Sequence, residues 1–550
     1  MNRRLRALLS GILFVMAFAR LSIAQQQSTG GYDELVALNN EIRADAMPPV
    51  VDGVPDYRPA ATVPRQQKVS EFRRRLIAIS PSSWTVAQKV DYLLVQARLN
   101  ALEFMFRVQH PWTSDPGLYV DAVQRFAFAE LPVQGDALTA LQGRLATVPT
   151  ILAQAKANLT QGQGEFVKLA IRDLSQSDGV EERWPFRKVP PPGARGWYAD
   201  FIERAKTQQP ELVAPAEKAL AAVNDFDAWL KQHASQMNAP VGVGQPDFEW
   251  YMRYVRYMPY TMEDSVRIGN REYERAMAFL ALERHKNRDI PEIALPTSKE
   301  EYDKRMVDAQ DSIREFLIKD EILTIPDYAS ERLAQEVPWT ERVGGKRNFW
   351  EEIQFRDPRP DVAHATLPGH AFDAAVRRHD TRPIRGTFSD GGRAEGWAFY
   401  LEEGMLQVGY LDDRPRTKEL IYIFQAARGV RDPAEAKMQT NEWTVDQAVA
   451  YMVGKVPYMD PDVARVDAAI YLRQTTYGLC YQLGKMEMLK LIGDREHQLG
   501  DKFNLKEFDD QFIASGTIPI SLIRWEITGL DDEVKGFWDT PEIPSVVQGR

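Results

Sequence analysis

Apolar residues recur at three- and four-residue intervals through most of the chain. Between Trp84 and Arg107, Val86, Val90, Leu93, Leu94, Ala97, Ala101 and Phe104 form one stripe, as expected of a helix that buries a single face. The same periodicity predicts helices over 262–287, 299–319, 443–454 and 463–491. Arg347 to Phe355 departs from it. There Phe349, Ile353 and Phe355 follow an imperfect alternation interrupted by Glu351, which predicts a strand. The expected fold class is therefore mostly α, with at most a few short strands.

Two Pro/Gly-rich stretches punctuate the pattern, Pro190 to Gly193 and Pro240 to Pro246. The second is the better boundary, because nearly all the notable polar chemistry lies after it. Residues 1–24 read as a secretory signal: Arg3, Arg4 and Arg6 precede the apolar run Ala7 to Ala19, and Ser22-Ile23-Ala24 supplies small residues for cleavage. The predicted organisation is a leader over 1–24, an amino-terminal helical lobe over 25–240 and a carboxy-terminal lobe over 241–550. An exported protein, periplasmic or secreted, follows, with no stable membrane insertion once the leader is removed.

Composition narrows the function classes. The 550-residue chain carries a net charge of −10, which becomes more negative when the leader's arginines are lost. Without a clustered basic surface there is no basis for a nucleic-acid partner. The single cysteine, Cys480, excludes a disulfide framework, a cysteine zinc finger and a thiolate-held iron–sulfur cluster. Any metal must then use histidine and carboxylate.

Three of the seven histidines fall between positions 364 and 379. His364 and His370 are six residues apart, and in a regular helix at ~100° per residue their side chains would diverge by about 120°. Pro368 and Gly369 can break the helix and swing His370 back beside His364. A following helix carrying Glu395 could supply a carboxylate, completing a His/His/Glu set of the kind that holds zinc with one open position. On spacing alone, helix-end histidines beside a Pro-Gly kink and a helix-start glutamate remain an equal account of the same residues.

The motif H-x-x-x-P-G-H at His364 to His370, followed by E-G-W-A-x-Y-x-E at Glu395 to Glu402, resembles that of the DUF885 proteins. Further likeness runs through Trp84 to Leu94, Glu249 to Tyr254, Thr261 to Gly269 and Glu321 to Tyr328. That bacterial, often exported family is similar to gluzincin-type zinc metallopeptidases. The resemblance implies a large helical fold around a central groove, one zinc ion on His364, His370 and Glu395, and peptide or amide substrates. It also implies an oxyanion donor at Tyr471, with Arg473 nearby as a replacement for the family's missing arginine. It supports reading the aromatic residues Trp250, Tyr254, Tyr257 and Trp397 as a substrate groove and not only as packing core.

Ile470 stands where the family commonly has arginine, and Thr475 to Gly478 replaces its Pro-Gly stretch, but one departure matters more. The family's first motif normally reads H-E-x-x-P-G-H, and here Ala365 stands where the glutamate would be. That carboxylate serves as the general base, a contribution of roughly 10²–10⁴-fold in rate. Glu402, seven residues beyond Glu395, is displaced by ~10 Å along the helix and so is too remote to share the same water, which leaves Asp390 and His379 as the closer substitutes. Two functions follow: a metallopeptidase-like protein with reduced or lost hydrolysis, or an exported non-catalytic protein that keeps the groove for binding or scaffolding.

Overall fold

The computed structural model of the chain describes residues 31–177, 187, 189–329, 337, 339–341 and 345–547; the expected leader, 1–24, lies outside them. Helix accounts for 71% of the structure and strand for 1%. The strands are one hairpin, Val50–Val51 with Val54–Pro55.

Helices start where the sequence supplies a cap. Thr85 accepts a hydrogen bond from the Gln88 amide, and the Gln88 side chain accepts from the Thr85 amide, opening the helix Val86–Phe104. Thr261 with Asp264 opens Met262–Lys286, Ser298 opens Lys299–Lys319, and Thr444 with Gln447 opens Val445–Lys455. Each of these starts within two residues of the span read from periodicity.

Two expectations are corrected. Arg347 to Phe355 is not a strand: Phe349–Gln354 is a helix, started by a capping box between Asn348 and Glu351. Phe349 and Ile353 are four residues apart, so a helix places them on one face as readily as alternation does on a sheet. The long helix expected over 463–491 is two, Pro461–Arg473 and Leu479–Leu499. The chain turns between them with Thr476 at φ 71°, a conformation a β-branched residue adopts only when its surroundings hold it.

Apolar side chains from both sides of the Pro240–Pro246 stretch share one core, in which Leu35, Phe72 and Leu93 join Trp397, Phe512 and Ile523. Hydrogen bonds cross the same divide, from the Tyr257 hydroxyl to the Leu93 carbonyl at 2.8 Å and from Gln96 to the Phe537 carbonyl at 2.7 Å. A second core, including Leu145, Trp197, Phe201 and Phe226, lies within residues 54–237. A third, with Ile353, Phe424, Met452 and Ala468, backs the helices that carry the polar site.

At the centre, the helix Gly391–Gln407 lies directly against Leu479–Leu499. A Cβ on Gly484 would stand 2.2 Å from the Gly392 carbonyl oxygen, and one on Gly396 would stand 2.5 Å from the Gly484 Cα. Only glycine at these positions lets the two backbones meet. Among the described residues, no helix is long and apolar enough to cross a membrane.

Candidate metal centre

The short helix Arg359–Asp361 runs into a π-helical turn, Val362–Thr366, which carries His364. The Leu367 amide closes this wide turn on the Val362 carbonyl at 3.1 Å, and the Leu367–Pro368 peptide is cis. The chain then doubles back so tightly that a Cβ on Gly369 would lie 1.7 Å from the His364 carbonyl oxygen. Position 369 therefore has to be glycine. His370 opens the next helix, His370–Arg378, and its ring stands edge-on to His364 with centres 4.8 Å apart.

Glu395 enters from the Gly391–Gln407 helix, which Asp390 caps through the Arg393 amide. The two Nε2 atoms are 3.2 Å apart, and Glu395 Oε2 lies 3.7 Å from His364 Nε2 and 3.3 Å from His370 Nε2. Ligands bonded at ~2.0–2.1 Å in a tetrahedron are separated by about 3.3 Å. The three atoms thus have the spacing of one tetrahedral face. Glu395 Oε2 is buried without a hydrogen-bond partner, as an atom reserved for a cation would be. The residues fit a divalent metal of the zinc type.

Protonation suits that assignment. Burial, then the charges of Arg428 and His370, holds His364 well below the usual histidine value, so its ring is neutral near pH 7. Burial opposes the charge on Glu395, but His370, His364 and the Tyr477 hydroxyl outweigh it and hold the carboxyl down to about 2. A neutral His364 ring and an ionised Glu395 carboxylate are the forms in which these two groups ligate a metal.

A supporting layer surrounds the three. Tyr477 donates to Glu395 Oε1 at 2.5 Å, and burial together with Glu395 pushes the phenol's pKa up, keeping it a donor. Glu402 Oε1 sits 2.9 Å from His364 Nδ1 and 3.0 Å from Arg428 Nη2, close in distance but without hydrogen-bond alignment. Trp397 donates to the Pro368 carbonyl at 2.9 Å and so props the loop between the histidines from within the core.

The cluster opens onto a cavity of about 260 Å³, whose wall includes Asp361, Arg428, Arg431, Asp467 and Tyr481. The Tyr481 ring lies nearly parallel to His364, at 12° with centres 6.5 Å apart. None of these five was singled out from the sequence. A signal was present for one: Arg428 interrupts the apolar run Ala426 to Val430, an improbable place for charge unless it is used.

The other expected site residues lie elsewhere. Trp250 is buried against Phe104, with its indole N–H on the Pro541 carbonyl. Tyr257 is fully buried in the main core, and Tyr254 is half-buried beside Trp250. Tyr471 lies under the Arg431 guanidinium, 5.5 Å from its ring centre, outside the cavity wall. Arg473 pairs with Asp115 at 2.9 Å and faces a separate cavity of about 840 Å³. Asp390 is occupied by the Arg393 amide and Arg256, while His379 stacks on Tyr328. Cys480 is buried, and burial raises its thiol's pKa well above the usual value. Ala365 is buried in the π-helical turn and does not line the cavity.

Fold and site together define a mostly helical protein built around a largely buried His/His/Glu cluster. The chain belongs to the family described as "Bacterial protein of unknown function (DUF885)", whose model matches residues 45–320 and 361–527. In fold it is similar to two solved structures. One is described as "a putative lipoprotein of unknown function" from Shewanella oneidensis: 18% identity, 91% of this chain and 98% of that chain, TM-score 0.64. The other is described as a "putative lipoprotein" from Colwellia psychrerythraea: 16% identity, 90% and 98% covered, TM-score 0.67. No curated protein matches the sequence.

Proposed function

We propose that the chain is an exported, zinc-binding, metallopeptidase-like protein that acts on or binds peptides or amides. The observation that carries this reading is the spacing of His364 Nε2, His370 Nε2 and Glu395 Oε2, at 3.2, 3.3 and 3.7 Å. Resemblance to structures described as lipoproteins and the leader-like segment 1–24 support export. A bound zinc would supply Lewis acidity at a substrate carbonyl.

The chain's own residues prepare the site for that chemistry. His364, His370 and Glu395 hold the ion, while Tyr477 fixes the Glu395 carboxylate and Glu402 faces the far edge of the His364 ring. Tyr481 and Arg431 stand in the cavity wall, where donors to a developing oxyanion belong. They take the place first considered for Tyr471 and Arg473. Asp361 and Asp467 are the carboxylates of the wall outside the ligand set, and so the candidate proton acceptors in place of the glutamate that Ala365 lacks.

Metal analysis tests the reading. The purified protein, incubated with zinc and dialysed, is expected to hold one ion per chain, and His364→Ala and His370→Ala to hold none. A metal-free protein whose stability is unaltered in both variants would sink it. Ala365 favours a second reading, a non-catalytic binding protein. Zinc-loaded protein that retains peptides from a pool without cleaving any would establish the second; cleavage abolished in the histidine variants would establish the first.

A further inference from the structure

Arg431 is almost fully buried, with 2% of its side chain exposed, yet only part of its guanidinium is used. Nη2 donates to Asp467 Oδ2 at 2.8 Å, while Nε and Nη1 have no partner. The group lies 4.3 Å from the centre of the Tyr481 ring, and that ring lies parallel to His364. Stacking of this kind fixes the plane of the guanidinium before any ligand arrives. Arg428 repeats the arrangement: its Nη2 is 3.0 Å from Glu402, its Nε and Nη1 are unpartnered, and its guanidinium is packed 4.7 Å from the centre of the Phe424 ring.

Buried charged donors without partners are rare, because each carries a desolvation penalty that a hydrogen bond normally offsets. Here two arginines that carry such donors both line the cavity that also holds His364, His370 and Glu395. Both are planar groups immobilised by aromatic rings, a geometry that selects planar anions. The rest of the wall includes the carboxylates of Asp361 and Asp467, which disfavour a dianionic phosphate, and the apolar Trp350, Val463, Val466 and Ile470, which suit an apolar side chain. At about 260 Å³ the space is smaller than most drug-sized ligand sites, which span ~300–1,000 Å³. It matches a single residue.

We infer that Arg431, backed by Arg428, recognises a substrate carboxylate beside the His364/His370/Glu395 cluster, and that the favoured ligands are short peptides ending there with a free carboxyl terminus. The inference rests on the metallopeptidase-like reading for the register of peptide against cluster. The carboxylate preference itself is measured separately. It makes the site one for chain ends, and separates it from a groove that holds the middle of a long polypeptide.

The test uses immobilised full-length protein and a pool of randomised tripeptides, prepared once as free acids and once as carboxy-terminal amides. Retained peptides are identified by mass spectrometry. Free acids should be retained about tenfold or more over amides, the size expected when a charge-assisted hydrogen bond is lost. Arg431→Gln should abolish the preference, and Arg431→Lys, which keeps the charge and loses the planar fork, should restore part of it. Amides retained only when they carry an acidic side chain would assign the carboxylate to that side chain. Equal retention of amides that carry no carboxylate, or no retention of either pool, would overturn the inference. If Arg431→Gln does not fold, the acid-against-amide comparison on the unaltered protein still decides. Zinc content of the same samples keeps the two proposals apart. Zinc held with no acid preference removes the carboxylate assignment alone, whereas acid preference without zinc removes the metal reading alone.

Discussion

The Nδ1 edge of His364 faces Glu402, and the burial of that carboxylate governs how firmly the ring is aimed. Burial pushes the Glu402 pKa up to about 7, against the pull of Arg428 and Lys485. A cation on Nε2 makes the ring's N–H more positive, and a carboxylate 2.9 Å from Nδ1 then becomes its natural partner. Such partners typically contribute 10–100-fold to metal affinity. Glu402→Gln is therefore expected to weaken zinc binding by about that factor, read by competition with a chelator of known affinity, while circular dichroism shows the helices intact. An unchanged affinity would mean that His364 is oriented by the tight turn alone. Glu402 also shows how a correct sequence argument can stop short. Its displacement along the helix excluded it as a base on the same water, and the structure uses it on the opposite edge of the first histidine.

At the scale of elements, the site was legible where one local signal sufficed and illegible where two distant helices had to meet. His364, Pro368, Gly369 and His370 lie within seven residues, so backbone chemistry showed that the chain can fold back there, while helix-end histidines fitted the same spacing equally well. The π-helical form of the turn was not implied. Periodicity alone gave the helix starts at 262 and 299, which the structure has, capped by Thr261 and Ser298, whereas the helix after Asn348 was missed because Phe349, Ile353 and Phe355 fit two periods at once. Arg428, Arg431, Asp467 and Tyr481 come from four different helices, and no spacing rule relates them. The helix-to-helix contact through Gly396 and Gly484 explains how Tyr477 and Tyr481 reach the cluster. Gly484→Ala places a methyl 2.2 Å from the Gly392 carbonyl oxygen, and the helices must separate to admit it. Overpacking of this kind costs about 1–3 kcal/mol, to be read from urea denaturation. The same shift should lower zinc occupancy, because it draws Tyr477 away from Glu395. A variant as stable as the parent would show that the contact is not tight.

Across the whole molecule, buried carboxyl groups set how stability changes with pH. Glu435 is fully buried on the helix Arg431–Gln439. Burial raises its pKa from 4.5 to about 8, although the Leu479 amide and Arg256 act the other way. Glu487, buried near Glu533, is raised to about 7. Groups of this sort bind a proton in the folded state that the unfolded chain releases. Their contribution is fully present below about 4.5 and is lost as pH rises through the folded values. Glu403 works in the opposite window. Burial opposes its charge, but Arg275 and Lys485 hold its pKa down to about 2, so its contribution is present above 4.5 and is lost only as pH falls below that. The metal-free protein should accordingly lose stability between pH 5 and pH 8. Each raised carboxyl steepens that decline by up to about 1.4 kcal/mol per pH unit. Glu435→Gln keeps an oxygen for the Leu479 amide and removes the titration. Urea midpoints measured across this range should therefore fall less steeply in the variant than in the parent, and the two curves should diverge most at pH 8. Parallel curves would mean that Glu435 is ionised in the folded protein and that Arg256 outweighs its burial.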